Sequence, residues 1–205
     1  NCNVYVKKLR WKLQANLAKK ITGSKVLKIS RRAKYIIISG KNFYLTIHLG
    51  MTGTLRIANK GDFREKHDHF ELYLSSNLIL RFNDPRKFGM IFYSDDSPLL
   101  SNKLLTDLGP EPLRSEFNHQ YLYEISRNRN VAIKTLLMNA KIVVGIGNIY
   151  ASEALFLSKV KPQKISRKLS KKNCEDIVSA IKKVLKKAIK KGGSTINDYI
   201  NVDGK

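Results

Sequence analysis

The sequence predicts an α+β protein in which a β-rich half is followed by a helical half. Up to about residue 95, runs of β-branched and aromatic residues are bounded by Gly and Asn, which is typical of short strands. After the LGPEPL segment at 108–113, apolar residues recur at helical spacing. Between these regions, the SDDSPLLSN segment at 94–102 is rich in turn-forming residues. The boundary is therefore predicted near residues 100 to 112.

Four segments of the first half are predicted to contain strands, namely residues 25–39, 42–57, 69–82 and 87–93. Within 69–82, apolar side chains alternate on both sides of Ser75-Ser76-Asn77, which predicts a hairpin. Strands at this spacing favour a sandwich or a barrel. A short helix is also predicted over residues 9–20, where three leucines lie about one turn apart: Leu9, Leu13 and Leu17.

The second half is predicted to contain three helices. The first covers 130–141, and its apolar face consists of Ile133, Leu136, Leu137 and Ala140. The second runs from about 148 to 158, directly after Gly145-Ile146-Gly147. The third covers about 171–191 and carries an apolar stripe formed by Ile177, Ile181, Val184, Leu185, Ala188 and Ile189. Lysines occupy its other faces, and Gly192-Gly193 is predicted to end it.

Charge is the most informative feature of the composition. The chain has 39 Lys and Arg against 16 Asp and Glu, which gives a net charge of +23. An excess of this size indicates a polyanionic partner, and nucleic acid is favoured over a membrane surface. No apolar run approaches the ~20 residues that a membrane-spanning helix needs.

The two cysteines predict neither a disulfide framework nor a zinc site. Cys2 and Cys174 lie far apart and form no Cys-x-x-Cys pair. The sequence shows no signal-peptide pattern, so the reducing cytosol is the expected compartment.

The stretch VVGIGNIYASEAL, residues 143–155, combines a glycine turn with a helix start. Such a turn lets backbone N–H groups approach an anion. It lacks the third glycine of the dinucleotide fingerprint, it follows a helix rather than a strand, and it is not a P-loop. Two interpretations remain open. The stretch is either part of a helical hairpin that grips a nucleic-acid backbone or a plain inter-helix turn with Asn148 as N-cap.

Two basic segments in the β-rich half offer further candidates. Arg31, Arg32 and Lys34 are predicted at a strand start, either as a contact surface or as a solvated basic patch. His67 and His69 would share one face of a strand. Because no cysteine or third histidine is nearby, a phosphate contact through His67 is favoured over metal binding, and no metal site is predicted.

Two short loops each carry a residue of unusual type for a loop. HLGMTG at 48–53 contains Met51, and DPRKFG at 84–89 contains Arg86 and Phe88. An apolar residue and an arginine on loop tips suit a wedge that enters a base stack and fills a vacated place. The alternative is that Met51 and Phe88 belong to the core.

Taken together, these segments resemble the formamidopyrimidine-DNA glycosylase family. The matching segments are RRAKY, IHLGMTG, KHDHFEL, DPRKFG, LGPEPL, AIKTLL and VVGIGNIYASEAL, in the family order and spacing over essentially the whole chain. The resemblance implies a β-sandwich domain, residues 1–104, joined to a helix–two-turn–helix DNA-binding domain, residues 105–205, with DNA in the cleft between them.

The implied activity is base-excision DNA repair. Family members flip oxidised purines, chiefly 8-oxoguanine and formamidopyrimidines, out of duplex DNA, excise them and cleave the abasic strand by β,δ-elimination. The resemblance thus implies a bifunctional DNA glycosylase and AP lyase. Relatives of the endonuclease VIII type usually lack the Met and Arg-x-Phe arrangement, so oxidised purines are favoured over oxidised pyrimidines, which remain the alternative.

The resemblance also assigns roles to individual residues. Lys34 matches the lysine of the catalytic pocket. Met51, Arg86 and Phe88 match the wedge that fills the gap left by the flipped base, and Arg86 suits the reading of base-edge acceptors. Contacts to DNA are implied for His67, Arg86, Arg129, Lys134 and Asn148, and are expected for Tyr150.

Two departures from the family pattern affect the expected chemistry. Family enzymes begin Pro-Glu-Leu-Pro-Glu and use the proline amine as nucleophile. They also continue into a four-cysteine zinc finger. The chain from Asn1 to Lys205 contains neither segment. We therefore expect this chain alone to bind DNA without catalysis, and to use no zinc or other cofactor.

Other readings of the sequence remain open. A non-enzymatic family member that binds damaged DNA is one rival, and an RNA-binding protein that uses the same helical hairpin is another. The expected setting is a monomer at the bacterial nucleoid, in the cytoplasm and away from membranes.

Overall fold

The computed structural model describes residues 1–192, which form two compact units. One is Asn1–Thr106, and the other begins at Asp107. Gly193 and the remainder of the predicted 105–205 domain lie outside the described residues.

The first unit is built on two antiparallel sheets. Its strands are β1 (Cys2–Val4), β2 (Lys28–Arg32), β3 (Tyr35–Ser39), β4 (Tyr44–His48), β5 (Thr54–Asn59), β6 (Asp68–Tyr73), β7 (Leu78–Asn83) and β8 (Met90–Ser94). Within the described residues, one sheet has the order β1-β6-β7-β5 and the other β2-β3-β4-β8. The short helices of this unit are α1 (Leu17–Ile21), α2 (Pro98–Ser101) and α3 (Lys103–Thr106).

Side chains from both sheets form one core. Phe70 and Phe82 are paired across β6 and β7 and are fully buried. They share a cluster with Leu45 and Ile47 of β4, in the other sheet. Each such side chain contributes about 1.5–3 kcal/mol through its burial. Two sheets that enclose a common core form a β-sandwich, so this part of the fold prediction is confirmed.

The hairpin at 69–82 forms as its alternation predicts. Leu72 pairs with Leu80, and the Leu74 N–H donates to the Leu78 carbonyl at 2.8 Å beside the turn. Asn77 closes that turn with a φ of +58°, a left-handed conformation that asparagine tolerates better than most residues. The strand expected at 87–93 begins only at Met90, because residues 84–89 form a loop.

Two predictions for the β-rich half are wrong. The basic residues of 31–34 do not lie at a strand start, because β2 ends at Arg32 and the chain reverses at Ala33, whose φ is +53°, before β3 begins at Tyr35. Lys34 therefore lies in a turn rather than at a strand start. Residues 9–20 are helical only from Leu17, although Leu9 and Leu13 are buried in the core. The leucine spacing reflected burial, not a helix.

The second unit is helical. It contains α4 (His119–Ser126), α5 (Ile133–Met138), α6 (Asn148–Leu157), a 3₁₀ turn (Ser166–Lys168) and α7 (Lys171–Lys190). Ser170 caps α7 by accepting from the Asn173 N–H, and the Asn173 side chain accepts in return from the Ser170 N–H. Gly192 follows the helix with a φ of +75°, as a C-terminal glycine should. Helix α4 was not predicted.

Two positions assigned to apolar helix faces are exposed. Helix α5 ends at Met138 and Asn139 is extended, so Ala140 leaves the apolar face and lies in solvent. Ile189 is 68% exposed near the end of α7. The rest of the predicted α7 stripe is buried against α4 and α6. A sandwich followed by this helical unit confirms the predicted α+β class.

Strand β2 lies at a sheet edge. Within residues 1–192 it pairs with β3 alone. Ile29 on this strand is 68% exposed, and the preceding Leu27 is 62% exposed. Lys28, between them, is also exposed.

Candidate functional site

One buried carboxyl group connects the two loops that the sequence singled out. Asp84 is fully buried at the start of the 84–89 loop. Its Oδ1 accepts a 2.8 Å hydrogen bond from the Thr52 hydroxyl, and its Oδ2 accepts a 2.7 Å bond from the Gly89 N–H. The 49–53 loop and the 84–89 loop are therefore held to the same side chain.

The backbones of these loops also touch directly. Gly50 has a φ of +68°, and an ideal Cβ there would lie 2.6 Å from the carbonyl carbon of Phe88. Both the left-handed conformation and the lack of space require glycine at this position. This close contact between the Gly50 and Phe88 backbones also places Met51, the residue after Gly50, next to the 84–89 loop.

The paired loops present the three predicted wedge side chains to solvent. Met51 is 72% exposed and Phe88 is 43% exposed. The Arg86 guanidinium lies 4.7 Å from the centroid of the Phe88 ring, so the two stack as a cation–π pair. Lys87 between them has a φ of +56°, which sharpens the loop tip. The alternative that Met51 and Phe88 are core residues is therefore wrong.

The two histidines next to the loops have different environments. Asp84 donates its N–H to the His67 carbonyl at 3.0 Å, while the His67 side chain remains partly accessible. His69 is buried, and its Nε2 lies 3.0 Å from the Asp84 carbonyl oxygen. The rings are 6.1 Å apart, and His67 precedes β6 rather than lying on it. No group of three or more potential metal ligands occurs in the described part of the chain.

A second cluster of the first unit surrounds Lys34 in the β2–β3 turn. The Lys34 ammonium is accessible, yet burial lowers its pKa. Burial, followed by the charges of Lys34 and Arg10, also lowers the pKa of His48. The Tyr35 ring packs 4.9 Å from the His48 ring. Lys34 and Arg10 therefore form one cationic group around the His48 ring.

His48 links this cationic group to the Met51 loop. It ends β4, and its Nδ1 accepts a 2.9 Å hydrogen bond from the Gly50 N–H. An Nδ1 that accepts is unprotonated, which agrees with the lowered pKa of the ring. The structure thus brings Lys34 and the wedge loops into one connected region of the first unit.

In the second unit, the glycine turn precedes α6 as expected. Gly145 has a φ of +80°. Gly147 is the N-cap, in extended conformation, and Asn148 is the first helical residue. Asn148 is therefore not the N-cap, which corrects that interpretation, and its side chain is exposed. Tyr150 is half-buried and packs against the helical core.

The remaining predicted contacts lie around α5. Lys134 is in the first turn of α5, half-exposed, and its N–H donates to the Pro162 carbonyl at 3.2 Å. Arg129 is exposed before α5, and its carbonyl accepts from the Arg167 N–H at 3.1 Å. Helices α5 and α6 pack together, so Lys134 and Asn148 lie in the first turns of neighbouring helices.

Sequence reasoning missed three members of the first-unit site. Asp84 and Thr52 lie inside the quoted loop motifs, but their mutual bond spans 32 residues. The available signal was a carboxylate placed between an apolar strand and a proline. Arg10 lay in a segment predicted to be helical, and no sequence signal points to its position near His48.

A sandwich with two paired loops that expose Met, Arg and Phe side chains, and a helical unit with a glycine turn before a helix, indicate a DNA glycosylase of the helix–two-turn–helix class. The model of the formamidopyrimidine-DNA glycosylase N-terminal domain matches residues 1–91, and that of the formamidopyrimidine-DNA glycosylase H2TH domain matches residues 108–199. The chain belongs to the formamidopyrimidine-DNA glycosylase family.

Individual relatives agree with this assignment. The formamidopyrimidine-DNA glycosylase of Pasteurella multocida is 46% identical over 198 residues, which cover 97% of this chain and 72% of the relative. The formamidopyrimidine-DNA glycosylase of Saccharophagus degradans is 45% identical over 197 residues, which cover 96% of this chain and 72% of the relative.

Solved structures of Lactococcus lactis Fpg are also similar. A complex with an N7-benzyl-Fapy-dG-containing DNA matches with a TM-score of 0.89 and 34% identity, over 100% of this chain and 76% of that one. A complex with DNA that contains an abasic site matches with a TM-score of 0.85 and 36% identity, over 92% of this chain and 70% of that one. In the described residues of our protein, no helix is long and apolar enough to cross a membrane.

Proposed function

We propose that this protein acts in base-excision repair by excising oxidised purines from duplex DNA. The observation that carries the proposal is the pair of loops fixed by Asp84, which expose Met51, Arg86 and Phe88 side by side. One solved structure contains the similar Lactococcus lactis protein in complex with Fapy-dG-containing DNA. This complex supports a formamidopyrimidine as the substrate of our protein.

In the proposed mechanism, the three exposed side chains enter the stack as the damaged nucleotide leaves it. Unstacking a base costs a few kcal/mol, and the side chains that fill the gap offset part of that cost through new stacking contacts. Met51 and Phe88 supply apolar surface, while Arg86 donates to acceptors on the base opposite the lesion. The stacking of Arg86 on Phe88 orders the guanidinium before DNA arrives.

Contacts to the DNA backbone hold the duplex while the base is flipped. We assign these contacts to His67 in the first unit, and to Arg129, Lys134 and Asn148 in the second. The N–H groups in the first turn of α6 favour a nearby anion because of the helix dipole. Tyr150 positions the α6 start through its packing against the core, and we propose that it lies close to the same backbone.

Lys34 is assigned to the catalytic pocket. Burial lowers its pKa, which brings the amine closer to the pH at which it can exchange a proton. Elimination at an abasic sugar requires such proton transfers, so we propose that the excised site is cleaved by β,δ-elimination. The chemistry proposed for these residues uses no metal ion.

The structural zinc of the family does not fit the described residues. The two cysteines of the chain, Cys2 and Cys174, are each buried in a core. Burial raises the pKa of Cys2 to about 11 and also raises that of Cys174, which opposes the thiolate that zinc needs. We further propose that the protein acts as a monomer on chromosomal DNA in a bacterial cytoplasm.

The direct test is borohydride trapping by the complete gene product. We expect a covalent adduct with an 8-oxoguanine·cytosine duplex, a weaker one with an oxidised-pyrimidine duplex, and none with undamaged DNA. Lesion binding without an adduct would support the non-enzymatic alternative. Preferential binding of RNA over every duplex would overturn the proposal.

A further inference from the structure

A second basic feature of the helical unit is the segment that links α6 to α7. Residues 159–172 read KVKPQKISRKLSKK, which contains seven Lys or Arg and no carboxylate. The first part of this segment lines a cavity of about 430 Å³, together with one residue of α7. Its lining residues are Lys159, Val160, Lys161, Gln163, Lys164 and Asn173.

Three cations therefore line one cavity without an acidic neighbour. Among the described residues, no carboxylate forms an ion pair with Lys159, Lys161 or Lys164. Lys172, in the same segment, pairs instead with Glu175 and Asp176. An anion in this cavity would therefore meet three positive charges that no ion pair neutralises.

Local structure holds the ammonium group of Lys164 and the backbone of Lys159. The Lys164 ammonium donates a 2.7 Å hydrogen bond to Oδ1 of Asn173, a residue already fixed by its part in the α7 cap. Lys159 has a φ of +54° directly after α6, at a position where glycine is usual. Both features reduce the freedom that an anion would otherwise have to remove.

The cavity segment is bonded to the elements that carry the predicted backbone contacts. The Lys134 N–H donates to the Pro162 carbonyl at 3.2 Å, and the Ile133 N–H donates to the Lys164 carbonyl at 2.9 Å. Further along, the Arg167 N–H donates to the Arg129 carbonyl at 3.1 Å. The cavity segment is thus hydrogen-bonded through its backbone to the segments that carry Lys134 and Arg129.

We propose that Lys159, Lys161 and Lys164 form a phosphate-binding pocket that takes an additional phosphate of the DNA backbone. Its identification with duplex DNA rests on the proposed function, whereas its affinity for a phosphate group does not. Free phosphate has the same chemistry and is the other source to be distinguished. Lysine suits either one, since its ammonium acts as a point charge toward phosphate oxygens.

The test compares two triple variants of equal charge. One is Lys159→Gln, Lys161→Gln and Lys164→Gln. The matched control is Lys186→Gln, Lys187→Gln and Lys190→Gln, on exposed positions of α7. At 1.5 Å per residue, these control lysines lie roughly 20–25 Å along the helix from Asn173. Circular dichroism melting verifies that both variants fold.

Binding of an undamaged fluorescein-labelled duplex is measured by anisotropy from about 50 to 200 mM salt. Loss of one phosphate contact should reduce the slope of log K against log salt by about 0.9 and weaken binding roughly 3- to 10-fold near 0.1 M salt. We expect this change in the pocket variant but not in the control. Equal changes in both would mean that only net charge matters, and would overturn a pocket for DNA.

Free phosphate is examined in a second arm, with inorganic phosphate added to ¹⁵N-labelled protein. Saturable shifts of the 159–164 amides that the pocket variant loses, with the salt slope unchanged, would identify free phosphate as the source. Absence of both effects would overturn the pocket altogether. If the protein binds no duplex at all, the proposed function fails, and the phosphate arm still decides on the pocket.

A double variant, Lys159→Gln with Lys161→Gln, keeps the bond between Lys164 and Asn173. This double variant should retain the native melting temperature. It should still show most of the reduction in salt slope that the triple variant shows. A normal salt slope in this double variant, with a reduced slope only when Lys164 is also changed, would indicate a structural role for Lys164 and contradict the three-lysine pocket.

Discussion

The Thr52 hydroxyl donates a 2.8 Å hydrogen bond to Oδ1 of Asp84, and this bond joins the loop that carries Met51 to the loop that carries Arg86 and Phe88. The acceptor is fully buried, so no solvent can replace the donor. The relative position of the three exposed side chains thus depends on an interaction beneath them.

Replacing Thr52 with valine should loosen the wedge without changing its side chains. Valine keeps the shape but removes the donor, so we expect a loss of about 1–2 kcal/mol in the free energy of unfolding. Affinity for a lesion duplex should fall more than affinity for undamaged DNA. Urea unfolding and anisotropy measure the two effects. Thr52→Ser retains the hydroxyl and serves as control, and equal behaviour of the two variants would refute the role of the bond.

Arg86→Ala should weaken binding of a lesion duplex by roughly 1–3 kcal/mol and blur the preference for cytosine opposite the lesion. The reason is that a guanidinium in the stack reads base-edge acceptors. Anisotropy with each of the four opposite bases tests both effects. Lys41→Ala removes an equal charge from an exposed bend and should leave the preference intact. An unchanged preference in Arg86→Ala would show that the wedge assignment is wrong.

Asn148→Ala should reduce binding about equally on lesion and undamaged duplexes. Phosphate contacts position the duplex and carry no sequence information, so the ratio of the two affinities should not change. Gln120→Ala removes a comparable exposed amide from α4 and is the control. A loss confined to the lesion duplex would contradict the assignment of Asn148 to the backbone.

The His48 ring should make the first unit sensitive to mild acid. Its pKa in the folded protein lies below the usual 6.5, because of burial first and then of Lys34 and Arg10. Below about pH 6.5 the unfolded chain therefore binds a proton that the folded protein resists, and stability falls as the pH falls further toward the folded pKa. Thermal melting between pH 7.5 and pH 5 measures this loss.

Two variants separate His48 from other groups. Burial also lowers the pKa of His69, so part of the acid loss will persist in any His48 variant. His48→Asn keeps an acceptor for the Gly50 N–H but does not titrate, and should flatten the profile. Lys34→Met should raise the pKa of His48 in an NMR titration, because a nearby positive charge is removed. A His48 pKa at or above 6.5 in the native protein would contradict the arrangement.

Much of the fold could be predicted because local patterns determine it. Phe70, Phe82 and the turn between them obey simple alternation, and the stripe of α7 has the helical period. The reversal at Ala33 could not be predicted, because it places a non-glycine residue at a positive φ between Arg32 and Lys34, with no Gly, Asn or Pro beside it. Leu9 and Leu13 lie at helical spacing in the sequence, but they do not belong to a helix. They are spaced in this way because both side chains pack into the core of the sandwich.

The exposure of the candidate side chains could be predicted from the sequence, but the contacts that position them could not. Met51, Arg86 and Phe88 were identified because their residue types are unusual on loop tips. The role of Asp84 depends on partners from a distant loop, and the link from His48 to Gly50 depends on the exact end of β4. Such contacts arise from tertiary structure, and no spacing in the sequence encodes them.

The edge strand β2 bears on how the protein behaves at high concentration. Leu27 and Ile29 are exposed at the start of this strand, and exposed apolar residues on an edge strand favour pairing with another copy of the same strand. Lys28 lies between these two residues, so a second copy would bring like charges together. The positive charge of this chain therefore keeps identical molecules apart as well as attracting a polyanion, and a Lys28→Val variant should aggregate at concentrations where the native protein scatters no light.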